Sequence, residues 1–136
     1  MPSGSCLCGV VQYRVRGPLE SIDHCHCSMC RRAHGTAFAT YGRVAREALT
    51  WTTGEDQLQH FESSGAATRS FCRQCGSSLL FRHSAAPQFD FIAVGTLDDH
   101  PGCRPEAHIF VGSKAPWYSI EDDLPQFDEY PPGMAD

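Results

Sequence analysis

Phe71-Cys72-Arg73-Gln74-Cys75-Gly76-Ser77 is the stretch from which the fold can be read. Two residues between cysteines let both sulfurs point inward from a tight turn, the form of a zinc knuckle. The glycine that follows can take a positive φ, which turns backbone N–H groups toward the sulfurs. Far upstream, Cys6-Leu7-Cys8-Gly9 is a tighter version of the same device. Two pairs supply four thiolates, enough to close a tetrahedral zinc site. Such a site ties the start of the chain to its middle and contributes folding free energy directly.

A third cluster, Cys25-His26-Cys27-Ser28-Met29-Cys30, places three thiolates within six residues. Three protein ligands with an exchangeable fourth position are the pattern of a reactive zinc. Seven of the eight cysteines thus sort into one structural and one reactive centre, two zinc ions per chain. Spacing leaves alternatives open. The triplet can instead lend a ligand to either pair, or His24, His26 or a distant histidine can close it. The two-plus-two arrangement is preferred because it leaves the triplet whole. Between two ligands, His26 is expected to point away from the metal, as a supporting or surface group. Cys103 stands alone as a free thiol, and His60, His83 and His100 have no patterned neighbours.

The 136 residues fit one domain, 1–136. No apolar run approaches the ~20 residues of a membrane span. Met1-Pro2-Ser3-Gly4-Ser5 has neither a basic start nor an apolar stretch, so a cytoplasmic, reducing location is expected. Clustered cysteines in such a compartment bind metal more often than they form disulfides. The net charge of −5 argues against a phosphate-backbone partner, since Arg31-Arg32 is the only basic doublet. Neither nucleic acid nor membrane is therefore expected as a partner.

Short apolar or β-branched runs separated by Gly, Pro and Ser predict strands at Val10–Val15, Ala37–Tyr41, Ser78–Arg82, Phe89–Val94 and His108–Val111. A hairpin is predicted from Leu58–Glu62 and Thr68–Phe71. Helical signals are weak: one or two turns over Met29–His34, with shorter candidates at Glu47–Trp51 and Ser119–Leu124. The tail 125–136, with Pro131-Pro132-Gly133, reads as irregular. The expected fold is mainly β, with small sheets pinned by metal and few short helices.

These clusters, together with Gly35-Thr36-Ala37-Phe38 and His108-Ile109-Phe110-Val111-Gly112-Ser113-Lys114-Ala115-Pro116-Trp117, resemble the glutathione-dependent formaldehyde-activating enzyme family. That family also includes a centromere-associated vertebrate protein, centromere protein V. The resemblance implies a β-tent of small sheets around zinc. It assigns Cys6, Cys8, Cys72 and Cys75 to a structural zinc, and Cys25, Cys27 and Cys30 to a catalytic one. It implies a carbon–sulfur lyase joining glutathione, or a related thiol, to formaldehyde. Arg31, Arg32 and Lys114 are candidate contacts for glutathione carboxylates, and Trp117 is a candidate wall of the cleft. The competing reading is a non-catalytic zinc module that contacts a protein partner. Homo-oligomerisation is left open.

Overall fold

The computed structural model describes residues 1–131. Ten strands carry it: β1 (Ser3–Ser5), β2 (Gln12–Val15), β3 (Ser21–Cys25), β4 (Ala39–Ala45), β5 (Leu49–Thr53), β6 (Leu58–Glu62), β7 (Ala67–Cys72), β8 (Ser78–His83), β9 (Phe89–Ala93) and β10 (Ala107–Ile109). One α-helix among the described residues, α1 (Ser28–His34), follows β3. β1, β2 and β5 form a small antiparallel sheet. The other seven form a sheet in the order β10-β3-β4-β9-β8-β7-β6, antiparallel except where β10 lies parallel to β3.

Successive strand residues face opposite sides, so the large sheet has two distinct faces. Ile22, Val44, Ile92, Leu80, Leu58 and Cys72 lie on one, packed with Tyr13, Val11 and Val15 of the small sheet into the main core. Cys25, Ala39 and Tyr41 face the other way and pack with Cys30 and Ile109 into a second cluster. A register shift at Ser70/Phe71, opposite β8, accompanies the burial of both Leu79 and Leu80. The two cysteine groups therefore fall in different layers: Cys6, Cys72 and Cys75 belong to the main core, and the triplet to the second cluster.

Most predicted strands are present within a residue or two, and the β6–β7 hairpin is paired in full. The helix signal after the triplet is also met, as α1. Two short helix candidates are not helices. Glu47–Trp51 contains one 3-10 turn, Arg46–Ala48, and then becomes β5, because Tyr13 and Trp51 pair across the strands edge to face. Ser119–Leu124 is irregular: the Asp122 carboxylate accepts the Leu124 N–H, a local turn that competes with helix. Within the tail, Pro125 O and Phe127 N–H bond to His108, and Gln126 bridges it. The part of the tail prediction covering 132–136 lies outside the described residues.

The small sheet meets the loop after β5 at very close quarters. Gly54 has φ +74°, and a Cβ there would lie 2.0 Å from the Val10 carbonyl oxygen. Gly17 has φ +81° with open space around it. Gly54→Ala is expected to destabilise by about 3 kcal/mol, combining left-handed strain with overpacking against backbone, while Gly17→Ala carries the strain alone, about 1 kcal/mol. Urea unfolding of the two variants checks this: equal losses would show that the Val10 contact contributes nothing.

Candidate metal centres

The four-sulfur group is assembled from two turns. Cys6 follows β1, and Cys72 closes β7. The Cys6 Sγ accepts the Val11 N–H at 3.3 Å, and the Cys72 Sγ accepts the Gln74 N–H at 3.4 Å. Gly9 and Gly76, at φ +80° and +81°, complete the turns with N–H bonds to the carbonyls of Cys6 and Cys72. The Leu7 N–H donates to Ser77 Oγ across the two turns at 2.9 Å. The Ser77 hydroxyl beside Cys75 Sγ, at 3.3 Å, pulls that thiol down. Sulfurs bound tetrahedrally at about 2.3 Å lie about 3.8 Å from one another. Cys6–Cys8 at 3.6 Å and Cys8–Cys72 at 3.8 Å match that spacing, and all four ligand atoms lie within 4.8 Å of one another. The donor set fits a closed, thiolate-loving metal site.

The triplet sits on the other face. Cys25 ends β3, Cys27 is the N-cap of α1, and Cys30 lies in its first turn. The Cys27 Sγ accepts the Cys30 N–H at 3.2 Å, so one ligand also starts the helix. The three sulfurs lie within 4.8 Å of one another, and among the described residues no His, Asp or Glu joins the group. Hydrogen bonds from the Cys25 and Cys30 thiols push the Cys27 thiol far down, and the same contact pushes Cys25 up. Three sulfurs crowded with a shared negative charge are the donor set a divalent, thiophilic cation satisfies.

Two buried systems support the triplet; the sequence offers His26 of the first as a supporting or surface group and gives no sign of Arg69 in the second. Of the two roles expected for His26, supporting or surface, burial excludes the surface one: the residue is fully buried. Its Nε2 lies 2.8 Å from His108 Nδ1, and His108 Nε2 lies 2.9 Å from an Asp122 carboxylate oxygen. A carboxylate only accepts, so His108 Nε2 carries a proton; in the neutral ring its Nδ1 then accepts from His26 Nε2–H. Burial pushes His26 down to about 4. Rings of His24, Phe38 and Tyr118 pack around this pair. The His26 N–H donates to Ile109 O, so β10 holds the backbone between Cys25 and Cys27. The second system is Arg69 of β7, only 9% exposed. Its Nη2 donates to Cys30 Sγ at 3.6 Å and its Nη1 to the Tyr41 hydroxyl at 3.1 Å.

The other candidate contacts are placed unevenly. Arg31 and Arg32 lie on α1 directly after Cys30; Arg31 is half-buried with its Nε unpartnered, and Arg32 is exposed. The Lys114 ammonium donates to the carbonyls of Ala115 and Tyr118. Trp117 is 71% exposed, its ring set edge-on to Tyr118. Cys103 is a partly buried thiol packed against the main core. Two surface clefts, one around Ser3, Gln12 and Asp98 and one around Arg46, Arg82 and His83, include no triplet residue. None of the helices among the described residues is long and apolar enough to cross a membrane.

Comparison with known proteins agrees with this arrangement. An Aspergillus terreus protein named "Putative glutathione-dependent formaldehyde-activating enzyme" is 32% identical over 117 residues, covering 81% of this chain and 61% of its own. A protein of the same name from Halomonas elongata is 29% identical, with 87% and 80% covered. The chain thus spans less than two thirds of the length of the Aspergillus relative. A crystal structure of a Rhodobacter sphaeroides protein superposes with a TM-score of 0.61 at 27% identity, covering 76% of this chain and 91% of that one. A family profile described as glutathione-dependent formaldehyde-activating enzyme matches residues 1–113, a span that contains both cysteine groups, Arg69 and His108. With that match over most of its length, the chain belongs to the glutathione-dependent formaldehyde-activating enzyme family.

Proposed function

We propose that this chain is a zinc-dependent carbon–sulfur lyase acting on the adduct of a glutathione-like thiol with formaldehyde. The observation that carries this reading is the three-sulfur group Cys25, Cys27 and Cys30, which no fourth His, Asp or Glu completes among the described residues. The four-sulfur group has a full set of ligands and serves the fold. The triplet leaves a coordination position for a reactant.

A zinc ion held by the triplet supplies a Lewis acid with one exchangeable position and favours the thiolate form of a thiol there. In the forward direction the thiol sulfur forms a bond to the aldehyde carbon. The carbonyl π pair moves to oxygen, and the thiol's proton ends on that oxygen to give the hydroxymethyl thioether. The reverse reaction breaks the same carbon–sulfur bond. The chain's own residues orient this chemistry. The Asp122–His108–His26 hydrogen bonds and the His26 N–H to Ile109 O fix the backbone between Cys25 and Cys27. Arg31 and Arg32 offer guanidinium groups to the carboxylates of the thiol. Lys114 already donates to two carbonyls, which leaves one of its three N–H groups, with its positive charge, for a carboxylate of the thiol. The exposed Trp117 offers apolar surface over which a bound peptide-like thiol can lie.

NMR exchange between glutathione, formaldehyde and S-hydroxymethylglutathione, with and without zinc-loaded protein, tests this reading. Acceleration over the uncatalysed exchange is expected. A protein that carries both zinc ions and leaves the exchange rate unchanged would retire the formaldehyde reaction in favour of a binding module.

A further inference from the structure

We propose that Arg69 is a positioning residue for the triplet centre: its guanidinium orients Cys30 and balances the charge of the metal–thiolate group. The proposal deepens the reading above and rests on the triplet being a metal site.

Three thiolates around one divalent cation leave one net negative charge. That charge lies in a poorly solvated place, since Cys25 and Cys30 are buried. A buried charge without a partner is costly, and a hydrogen-bonded counter-charge offsets much of that cost. Arg69 is the guanidinium that touches a triplet sulfur. Its Nη2 reaches Cys30 Sγ at 3.6 Å, its Nη1 reaches Tyr41 Oη at 3.1 Å, and its Nε reaches Ser63 Oγ at 3.2 Å. Its plane sits over the Phe81 ring, 4.9 Å from the centroid. The Tyr41 hydroxyl lies in turn 2.7 Å from His34 Nε2, at the end of α1, the helix that Cys27 begins.

The geometry requires an arginine rather than any cation. One planar fork serves a sulfur and two hydroxyls at once while stacking on an aromatic face, which an ammonium on a flexible stem cannot do. Phe81 is the cross-strand partner of Arg69, so the sheet itself supplies the stacking platform. The same strand, β7, ends in Cys72 of the four-sulfur group. A rigid β7 thereby sets the guanidinium of one centre and a ligand of the other from a single element.

Chelator competition on the zinc-loaded chain reads the affinities of its two zinc ions separately, with Cys27→Ser identifying which of them is the triplet's. Arg69→Gln is expected to weaken the triplet zinc about 10- to 100-fold, the usual loss for a partner of a ligand, and to leave the four-sulfur zinc unchanged. Arg69→Lys keeps the charge and recovers part of the loss. Tyr41→Phe keeps the ring but frees the guanidinium, and costs the triplet zinc on the order of 3-fold, less than a direct partner does. That variant carries the test if Arg69→Gln does not fold. The proposal is overturned by a triplet affinity at the wild-type value in the folded variants, or by equal losses at both zinc ions, which would mark Arg69 as structural only. A wild-type chain that takes up one zinc alone would overturn the triplet reading itself, and this proposal with it.

Discussion

Cys72→Ser is expected to leave the chain unfolded at room temperature even in excess zinc. The reason is what the four-sulfur group connects. β1 reaches β2 through three residue pairs, and Cys6 follows it directly. Cys72 closes β7 in the large sheet and is fully buried in the main core. The group therefore joins the two sheets across more than sixty residues of chain. A structural zinc in small zinc-binding peptides contributes about 10–16 kcal/mol, and a whole domain of ordinary size is stable by about 5–15 kcal/mol. Losing the site therefore removes as much free energy as the fold has in total. Serine replaces a soft thiolate by a hydroxyl that zinc holds poorly, and it places that hydroxyl among Leu58, Leu79 and Leu80 of the main core. Cys103→Ser, at a thiol with no sulfur partner, should by contrast stay folded. Amide dispersion in a proton–nitrogen NMR spectrum separates the outcomes. A dispersed spectrum and an unshifted melt for Cys72→Ser would show that the large sheet holds together without the metal.

The features that could be read from sequence were those whose information is local. Cysteine spacing named the triplet and the two pairs, because turn geometry confines residues that are two or three apart, whereas joining the pairs into one four-sulfur group is a preference among open alternatives that the fold decides. Turn residues Ser63-Ser64-Gly65 between two short runs named the β6–β7 hairpin. Where the deciding contact is distant, local reading failed. Glu47-Ala48-Leu49 has helix-forming composition, yet Leu49 to Thr53 pairs with β2, and the Trp51–Tyr13 contact outweighs intrinsic preference. β3 went unseen because Ser21, Asp23 and His24 give it no apolar alternation. It is nonetheless an interior strand, flanked by β10 and β4. His26 shows the same limit. Between two ligands it is expected to turn away from the metal as a supporting or surface group, and which of the two it is depends on a partner 82 positions away, His108, which gives its ring a buried hydrogen bond. Arg69 looks like any polar strand residue until β7 is laid beside β8 and the triplet is brought to the same face. Polar groups buried through tertiary partners leave no periodic trace, and here both of the systems that hold the triplet sulfurs are of that kind.

The largest functional loss is expected from Cys27→Ser, and the structure makes it the most selective change at the triplet. Cys27 is the N-cap of α1, and its sulfur accepts the Cys30 N–H. Serine is among the favoured N-cap residues and can accept the same bond. The substitution therefore keeps the start of the helix while removing one of three metal-binding thiolates. Neither neighbour offers this separation. Cys25 is a buried strand residue paired with Ala39, and replacing Cys30 would strip the Arg69 guanidinium of its sulfur partner. Cys27→Ser should bind one zinc ion instead of two and melt like a wild-type chain loaded at the four-sulfur group alone. Its acceleration of the glutathione–formaldehyde exchange should fall to background. Loss of a Lewis acid worth several kcal/mol of charge stabilisation corresponds to about a 10³-fold fall in rate. The two readouts must be taken together. A variant that holds one zinc, melts normally and no longer accelerates exchange places the chemistry at the triplet. One that holds one zinc and still accelerates exchange would move the reaction away from Cys25, Cys27 and Cys30 and leave those sulfurs a purely structural task.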